Sequence, residues 1–142
     1  MDCPFCQIIS NDQKERVLDE NEMAVVILSN PRLMPGHILV IPKKHVERLS
    51  QLAALERSGL LEMAIKWQEL IIEKLAPGCD LRQNYRPFIP SGRIKVNHLH
   101  FHLLPRSLED ELYRKSMTYE KELFQDLTSS EMGDIVNRLR GN

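Results

Sequence analysis

No stretch of this chain is apolar for the roughly 18–20 residues that a membrane-spanning helix needs, and no signal-like segment opens it. The cytoplasm is therefore the expected location. Cysteines number only three, and with no export signal an odd count argues against a disulfide framework. Excess charge of either sign is missing too: 19 basic and 20 acidic residues leave a net charge of −1. That balance excludes broad binding to nucleic-acid polymers or membrane surfaces, while allowing a small anion to be held locally. Internal repeats and low-complexity segments are absent, so the 142 residues are expected to form one domain, with 42% hydrophobic and 27% charged residues fitting a globular protein.

What the sequence does contain is NHLHFHLLPR, residues 97–106, in which His98, His100 and His102 alternate with Leu99, Phe101 and Leu103. Strict alternation predicts a strand with the three imidazoles on one face and the apolar residues on the other, ended by Pro105. Only two histidines lie elsewhere. An edge strand with an incidentally polar face is thus a poor account of the pattern. A single metal site is a poor account as well. Adjacent same-face residues are about 6.6 Å apart and the outer pair about 13 Å, whereas metal–nitrogen bonds are about 2.0–2.1 Å. Two imidazoles can converge on one ion, but three on a straight strand cannot, so the histidines divide their labour.

Around this stretch, CPFCQIIS predicts one helical turn, and RVLDEN, MAVVIL and HILVIPK predict three strands, the first two joined as a hairpin over residues 19–22. A helix over 54–75 carries Leu60, Ala64, Trp67, Ile71 and Leu75 at helical spacing, with Leu61, Ile65 and Ile72 widening the stripe. A strand over 80–88 and the histidine strand come next. The tail reads as two helical pieces, SLEDELYRKS and SSEMGDIVNRLR, the second capped by Ser129 or Ser130. The resulting class is α+β with a five-stranded, mainly antiparallel sheet, one long helix and a helical C-terminal tail.

HLHFHLL, PGHILVIPKKHVERL and CPFCQII together resemble the histidine-triad (HIT) family, in order and spacing, from residue 3 to 106. The resemblance implies a single HIT domain over 1–142, with a core at 3–106 and a helical extension at 107–142, often paired as a homodimer. It implies nucleotide hydrolysis at an α-phosphorus of dinucleoside polyphosphates or nucleoside phosphoramidates, through a nucleotidyl-histidine intermediate and without a catalytic metal. Histidine at the third triad position, His102, goes with hydrolases rather than transferases. The roles implied are nucleophile for His100, donor to the scissile or leaving oxygen for His102, phosphate contact for His37, and ribose contact for Ser29 or Asn30. Members with this opening complete a structural Cys2His2 zinc site with residues matching Cys3, Cys6, His45 and His98.

The loop before the triad, RPFIPSGRIKVN, departs from the Gly-Gln pair of many hydrolase members. Either Arg86, Arg93 or Lys95 supplies a cationic phosphate contact there, or the loop is a solvated basic one. Two other functions stay open at this point: a phosphorylase or nucleotidyltransferase using an anionic acceptor, and a nucleotide-binding regulatory protein with vestigial turnover.

Overall fold

A computed structural model describes residues 3–10 and 14–141. Five strands, β1 (Val17–Glu20), β2 (Ala24–Leu28), β3 (Ile38–Pro42), β4 (Gly78–Gln83) and β5 (Phe101–Arg106), form one antiparallel sheet in the order β1-β2-β3-β5-β4. Four helices accompany it: α1 (Pro4–Ser10), α2 (Ala54–Lys74), α3 (Glu111–Leu123) and α4 (Ser129–Leu139). The α+β architecture expected from the sequence is thus observed.

The central strands AVVIL and ILVIP are rich in β-branched residues, which suit a pleated surface, and apart from the exposed Leu28 both are buried without alternation because the sheet is covered on both faces. On one face Ala24, Val26, Ile38, Val40, Leu99, Phe101 and Leu103 pack against Leu60, Met63, Ala64 and Ile71 of α2. On the other, Val25, Ile27, Leu39 and Ile41 pack against Cys3 and against Phe5 and Ile8 of α1. The apolar half of the histidine stretch therefore belongs to the α2 core, as its alternation requires. The β1–β2 hairpin turns at Asn21, whose Oδ1 accepts from the backbone of Met23 and Ala24, both at 2.8 Å. The Trp67 Nε1–H and Lys66 Nζ both donate to Asp19, at 2.9 and 2.6 Å, fixing α2 to β1.

Several boundaries differ from those expected. Strand β4 begins at Gly78 and ends at Gln83 rather than spanning 80–88, because Pro87 and Pro90 lie just beyond it, and residues 84–97 run as a loop. Strand β5 starts at Phe101, so His98 and His100 stand on an extended segment just before it. Pro105 does not end β5. Pairing with β3 stops at Leu103, and beyond it β5 is paired on one side only, where a residue without an N–H is tolerated. Helix α1 has seven residues, close to two turns. Leu75 lies just past the end of α2 and is 61% exposed. The cap of α4 is Thr128, whose hydroxyl accepts from Glu131 N at 3.1 Å, one residue before the serines expected.

The tail is tied on at Arg106, whose guanidinium lies 3.4 Å from both Asp80 and Asp110. Asp110 also caps α3 by accepting from Tyr113 N. Every buried residue among those described lies between Cys3 and Arg106. None of the described helices is long and apolar enough to cross a membrane.

Two glycines separate the core from the tail experimentally. Gly36 has φ +84°, and a Cβ there would meet Leu75 Cδ1 at 3.0 Å and Pro105 Cγ at 3.1 Å. Gly36→Ala is expected to cost about 1–3 kcal/mol in urea unfolding. Gly133 lies inside α4 with nothing within 4 Å of a built Cβ. Gly133→Ala is expected to be neutral to stabilising, by up to about 1 kcal/mol.

Candidate active site and metal centre

The segment carrying His98 and His100 is held by backbone bonds outside the sheet ladder. Leu99 N donates to Val46 O at 2.6 Å, which pins it to the stretch after β3. The buried His98 ring donates Nε2–H to Pro42 O at 2.8 Å. His100 turns its Nδ1–H back onto the carbonyl of His98, two residues earlier, at 2.7 Å. A carbonyl only accepts, so each bond fixes a tautomer. His98 keeps a lone pair on Nδ1, and His100 keeps one on Nε2. Phe5 of α1 sets its ring edge-on to both imidazoles, with centroids at 5.7 and 5.1 Å. Burial is the main reason that both rings titrate below the usual imidazole range.

His102, on β5, is the next ring along, its centroid 4.7 Å from that of His100. Its Nδ1 lies 2.9 Å from Nε2 of His37. His37 in turn accepts at Nδ1 from the backbone N–H of Leu33, at 3.1 Å. The proton of neutral His37 is therefore on Nε2 and points to His102. Nδ1 of His102 is then the acceptor, and its own proton sits on Nε2. The chain of three groups thus ends in an imidazole N–H beside the ring that ends in a lone pair. Burial, then Arg82 and His100, hold His37 at about 4. Burial, then His100, His37, Arg82 and Arg86, hold His102 at about 3. Both rings are neutral at pH 7. The PGH turn sets this up: Gly36 takes the positive φ, and His37 N donates to Met34 O at 3.1 Å.

Cys3, Cys6, His45 and His98 come together on the other side of His100. One donor atom from each lies within 4.8 Å of all the others. His98 Nδ1 is 3.4 Å from Cys3 Sγ, 3.6 Å from Cys6 Sγ and 3.1 Å from His45 Nδ1; His45 Nδ1 is 3.2 Å from Cys6 Sγ. A tetrahedral ion with bonds of about 2.0–2.3 Å spaces its donors about 3.3–3.8 Å apart. Burial and the adjacent Cys3 raise the Cys6 thiol, an electrostatic cost that a shared cation would offset. The backbone bond of His98 at Nε2 is the outer-sphere partner that a metal-binding imidazole generally has. The four residues form a group that can hold a metal ion.

Ser29 and Asn30, expected at the ribose, adjoin His37. Ser29 N donates to His37 O at 2.8 Å, which puts both residues beside His37, while the Ser29 hydroxyl donates to Pro31 O at 2.8 Å. Arg93 is exposed on the 84–97 loop and is not among the residues lining the cavity beside His98 and His100. Instead, Arg86 and Lys95 join Asn84, Tyr85, His98 and His100 around a cavity. Residue pattern alone missed Phe5, the two carbonyls that fix the rings, and Arg82, which is in register opposite His102. Only the strand pairing makes Arg82 a neighbour of the site.

A family model described as HIT domain matches residues 10–109. Among curated relatives, the adenosine 5′-monophosphoramidase of Schizosaccharomyces pombe is 29% identical over 113 residues, covering 78% of each chain. Among solved structures, a member of the HIT family from Bacillus subtilis superposes with a TM-score of 0.74, covering 100% of this chain and 97% of that one at 20% identity, and thus shares the fold. A zinc-bound histidine triad family protein from Mycobacterium smegmatis is 29% identical with a TM-score of 0.66, covering 79% of this chain and 80% of that one.

The depressed histidines have a consequence for stability. An unfolded chain takes up protons at His37 and His102 near pH 6.5, whereas the folded chain refuses them until about pH 4 and 3. Their contribution is complete above pH 6.5 and is lost as the pH falls toward these values. The urea midpoint should therefore drop between pH 6.5 and 4, and drop less in a His37→Gln/His102→Gln variant measured over the same range.

Proposed function

The chain belongs to the HIT domain family, and on that premise we propose that it is a nucleotide hydrolase cleaving at the α-phosphorus of dinucleoside polyphosphates or nucleoside phosphoramidates through a nucleotidyl-His100 intermediate. The observation that carries this reading is the 2.7 Å bond from His100 Nδ1 to His98 O. It leaves Nε2 as an unprotonated nucleophile in a ring that burial keeps neutral. In the first step Nε2 attacks phosphorus, a P–Nε2 bond forms, and the bond from phosphorus to the leaving oxygen or nitrogen breaks. The ring becomes a cation whose remaining proton stays on Nδ1, where it still donates to the His98 carbonyl. The Nε2–H of His102 is the donor for the leaving atom or the phosphoryl oxygens, held toward that role by His37. In the second step water attacks phosphorus, the P–Nε2 bond breaks, and its electron pair returns to His100. One water oxygen enters the nucleoside monophosphate. Where His102 has protonated the leaving atom in the first step, the proton released by the water restores its Nε2–H; otherwise that proton goes to solvent. Ser29 and Asn30, beside His37, are the proposed ribose contacts. The relative that is named a monophosphoramidase supports this reaction class.

Cys3, Cys6, His45 and His98 are the proposed ligands of a zinc ion, a reading supported by the donor spacing. Two thiolates and two imidazoles make a closed tetrahedral set, so the ion would supply rigidity rather than an activated water. It would fasten α1 to the segment that carries His100. Free cysteines fit a reducing compartment such as the cytoplasm.

A homodimer is proposed through α2 and the edge strand β4. Leu61, Ile65 and Ile72 on α2 and Leu81 on β4 are each more than 40% exposed, and β4 is unpaired on its outer side.

Each of these readings has a direct test. Intact mass spectrometry during turnover of adenosine 5′-phosphoramidate should show a nucleotidyl adduct, absent in His100→Ala. That variant should lose turnover while nucleotide affinity stays within about tenfold, ~1.4 kcal/mol; turnover near the wild-type rate would exclude His100 as nucleophile. Protein purified without a polyhistidine tag should hold one zinc per chain, lost in Cys3→Ser/Cys6→Ser together with part of the thermal stability. Ultracentrifugation at micromolar concentration should show a dimer, and a 16.5 kDa species would contradict it.

A further inference from the structure

The proposed reaction uses His100, His102 and His37 and leaves one cation beside them unexplained. Arg82 on β4 pairs in register with His102 on β5. Partners in register across antiparallel strands present their side chains on the same face, with Cβ atoms about 4.5–5.5 Å apart. His102 pairs on its other flank with Leu39 of β3, two residues from His37, whose ring it contacts. The order across this face is thus His37, His102, Arg82. Arg82 is half-buried, and among the described residues its side chain has neither a hydrogen bond nor a carboxylate within salt-bridge distance. The acid next along the same face of β4, Asp80, is already engaged by Arg106 at 3.4 Å. Arg86, four residues further on, lines the cavity that also contains His100. Both guanidinium charges act on His102.

A partly desolvated guanidinium, next to neutral imidazoles and with no acid to neutralise it, is costly unless an anion joins it. Its planar fork matches two oxygens of a phosphate or sulfate. The α-phosphate already has His100 and His102, and Arg82 lies beside His102 on the neighbouring strand. We propose that Arg82, assisted by Arg86, binds the oxyanion group on the leaving side of the α-phosphorus, making this chain selective for nucleotides whose leaving group is a phosphate, polyphosphate or sulfate over those that release an amine. This rests on the α-phosphorus reading above. It narrows the substrate class to anionic leaving groups, and assigns the cationic contact to β4 and the start of the loop rather than to Arg93.

The test compares kcat/KM for diadenosine tetraphosphate and adenosine 5′-phosphoramidate in the wild type and in Arg82→Gln, Arg82→Lys and Arg86→Gln. The ratio of the first substrate to the second should fall tenfold or more in Arg82→Gln, recover partly in Arg82→Lys, and fall less in Arg86→Gln. An unchanged ratio overturns the proposal, whether both rates hold or both fall together, since a general loss of structure or of α-phosphate binding lowers both alike. Calorimetric titration with inorganic tripolyphosphate gives a readout independent of catalysis. Wild-type protein should bind it about tenfold more tightly than Arg82→Gln, ~1.4 kcal/mol, and equal binding overturns the proposal. If the wild type turns over neither nucleotide and forms no adduct, the hydrolase reading fails, and this titration still decides the role of Arg82.

Discussion

The bond from the His100 ring to the backbone carbonyl of His98 is the constraint on which the site depends. It exists because residues 98–100 have left the sheet. In a ladder, carbonyls on this segment would be drawn toward neighbouring strands; here β5 begins only at Phe101, and the His98 carbonyl accepts from an imidazole instead. Losing the ladder leaves the segment in need of other anchors. Leu99 N supplies one at Val46 O, the His98 ring a second at Pro42 O, and Leu99 in the α2 core a third. Each anchor sits within one residue of the carbonyl in question.

The same logic extends outward. Each of four histidines has one nitrogen committed to a fixed partner, which decides what the other offers: His98 a lone pair to the cysteine cluster, His100 a lone pair to an electrophile, His37 a proton to His102, and His102 a proton to the open side. Burial keeps these rings neutral, so the pattern of donors and lone pairs is not scrambled by protonation near pH 7. Positive charge enters from outside the triad, at Arg82 and Arg86, where it acts on an anion without occupying the nucleophile.

The sequence made some of this legible and hid the rest for physical reasons. Alternation of imidazole and apolar residues showed on its own that the histidines share a face and that Leu99, Phe101 and Leu103 enter the core. The C-x-x-C spacing pointed to half of a candidate metal site, and the family resemblance supplied His45 and His98, which the fold brings to the two cysteines. Strand ends were less legible, because they depend on how far a neighbour extends: Pro105 stays in β5 only because β3 stops short of it. Hydrogen bonds from rings to carbonyls leave no mark in residue identity, since every residue has a carbonyl. Arg82 was hidden for the same kind of reason. Its place comes from register, whereas Arg93, nearer to the triad in sequence, is exposed on the loop.

The central claim is that fixed hydrogen-bond partners, backbone groups for His98, His100 and His37 and the His37 ring for His102, assign the tautomers of these histidines. Long-range proton–nitrogen correlation NMR on protein with nitrogen-15-labelled histidine, at pH 7, reads this directly. The account predicts His100 protonated at Nδ1 with a free Nε2, and His98, His37 and His102 each protonated at Nε2. A spectrum showing His100 as the Nε2–H tautomer, or as an imidazolium, would contradict it.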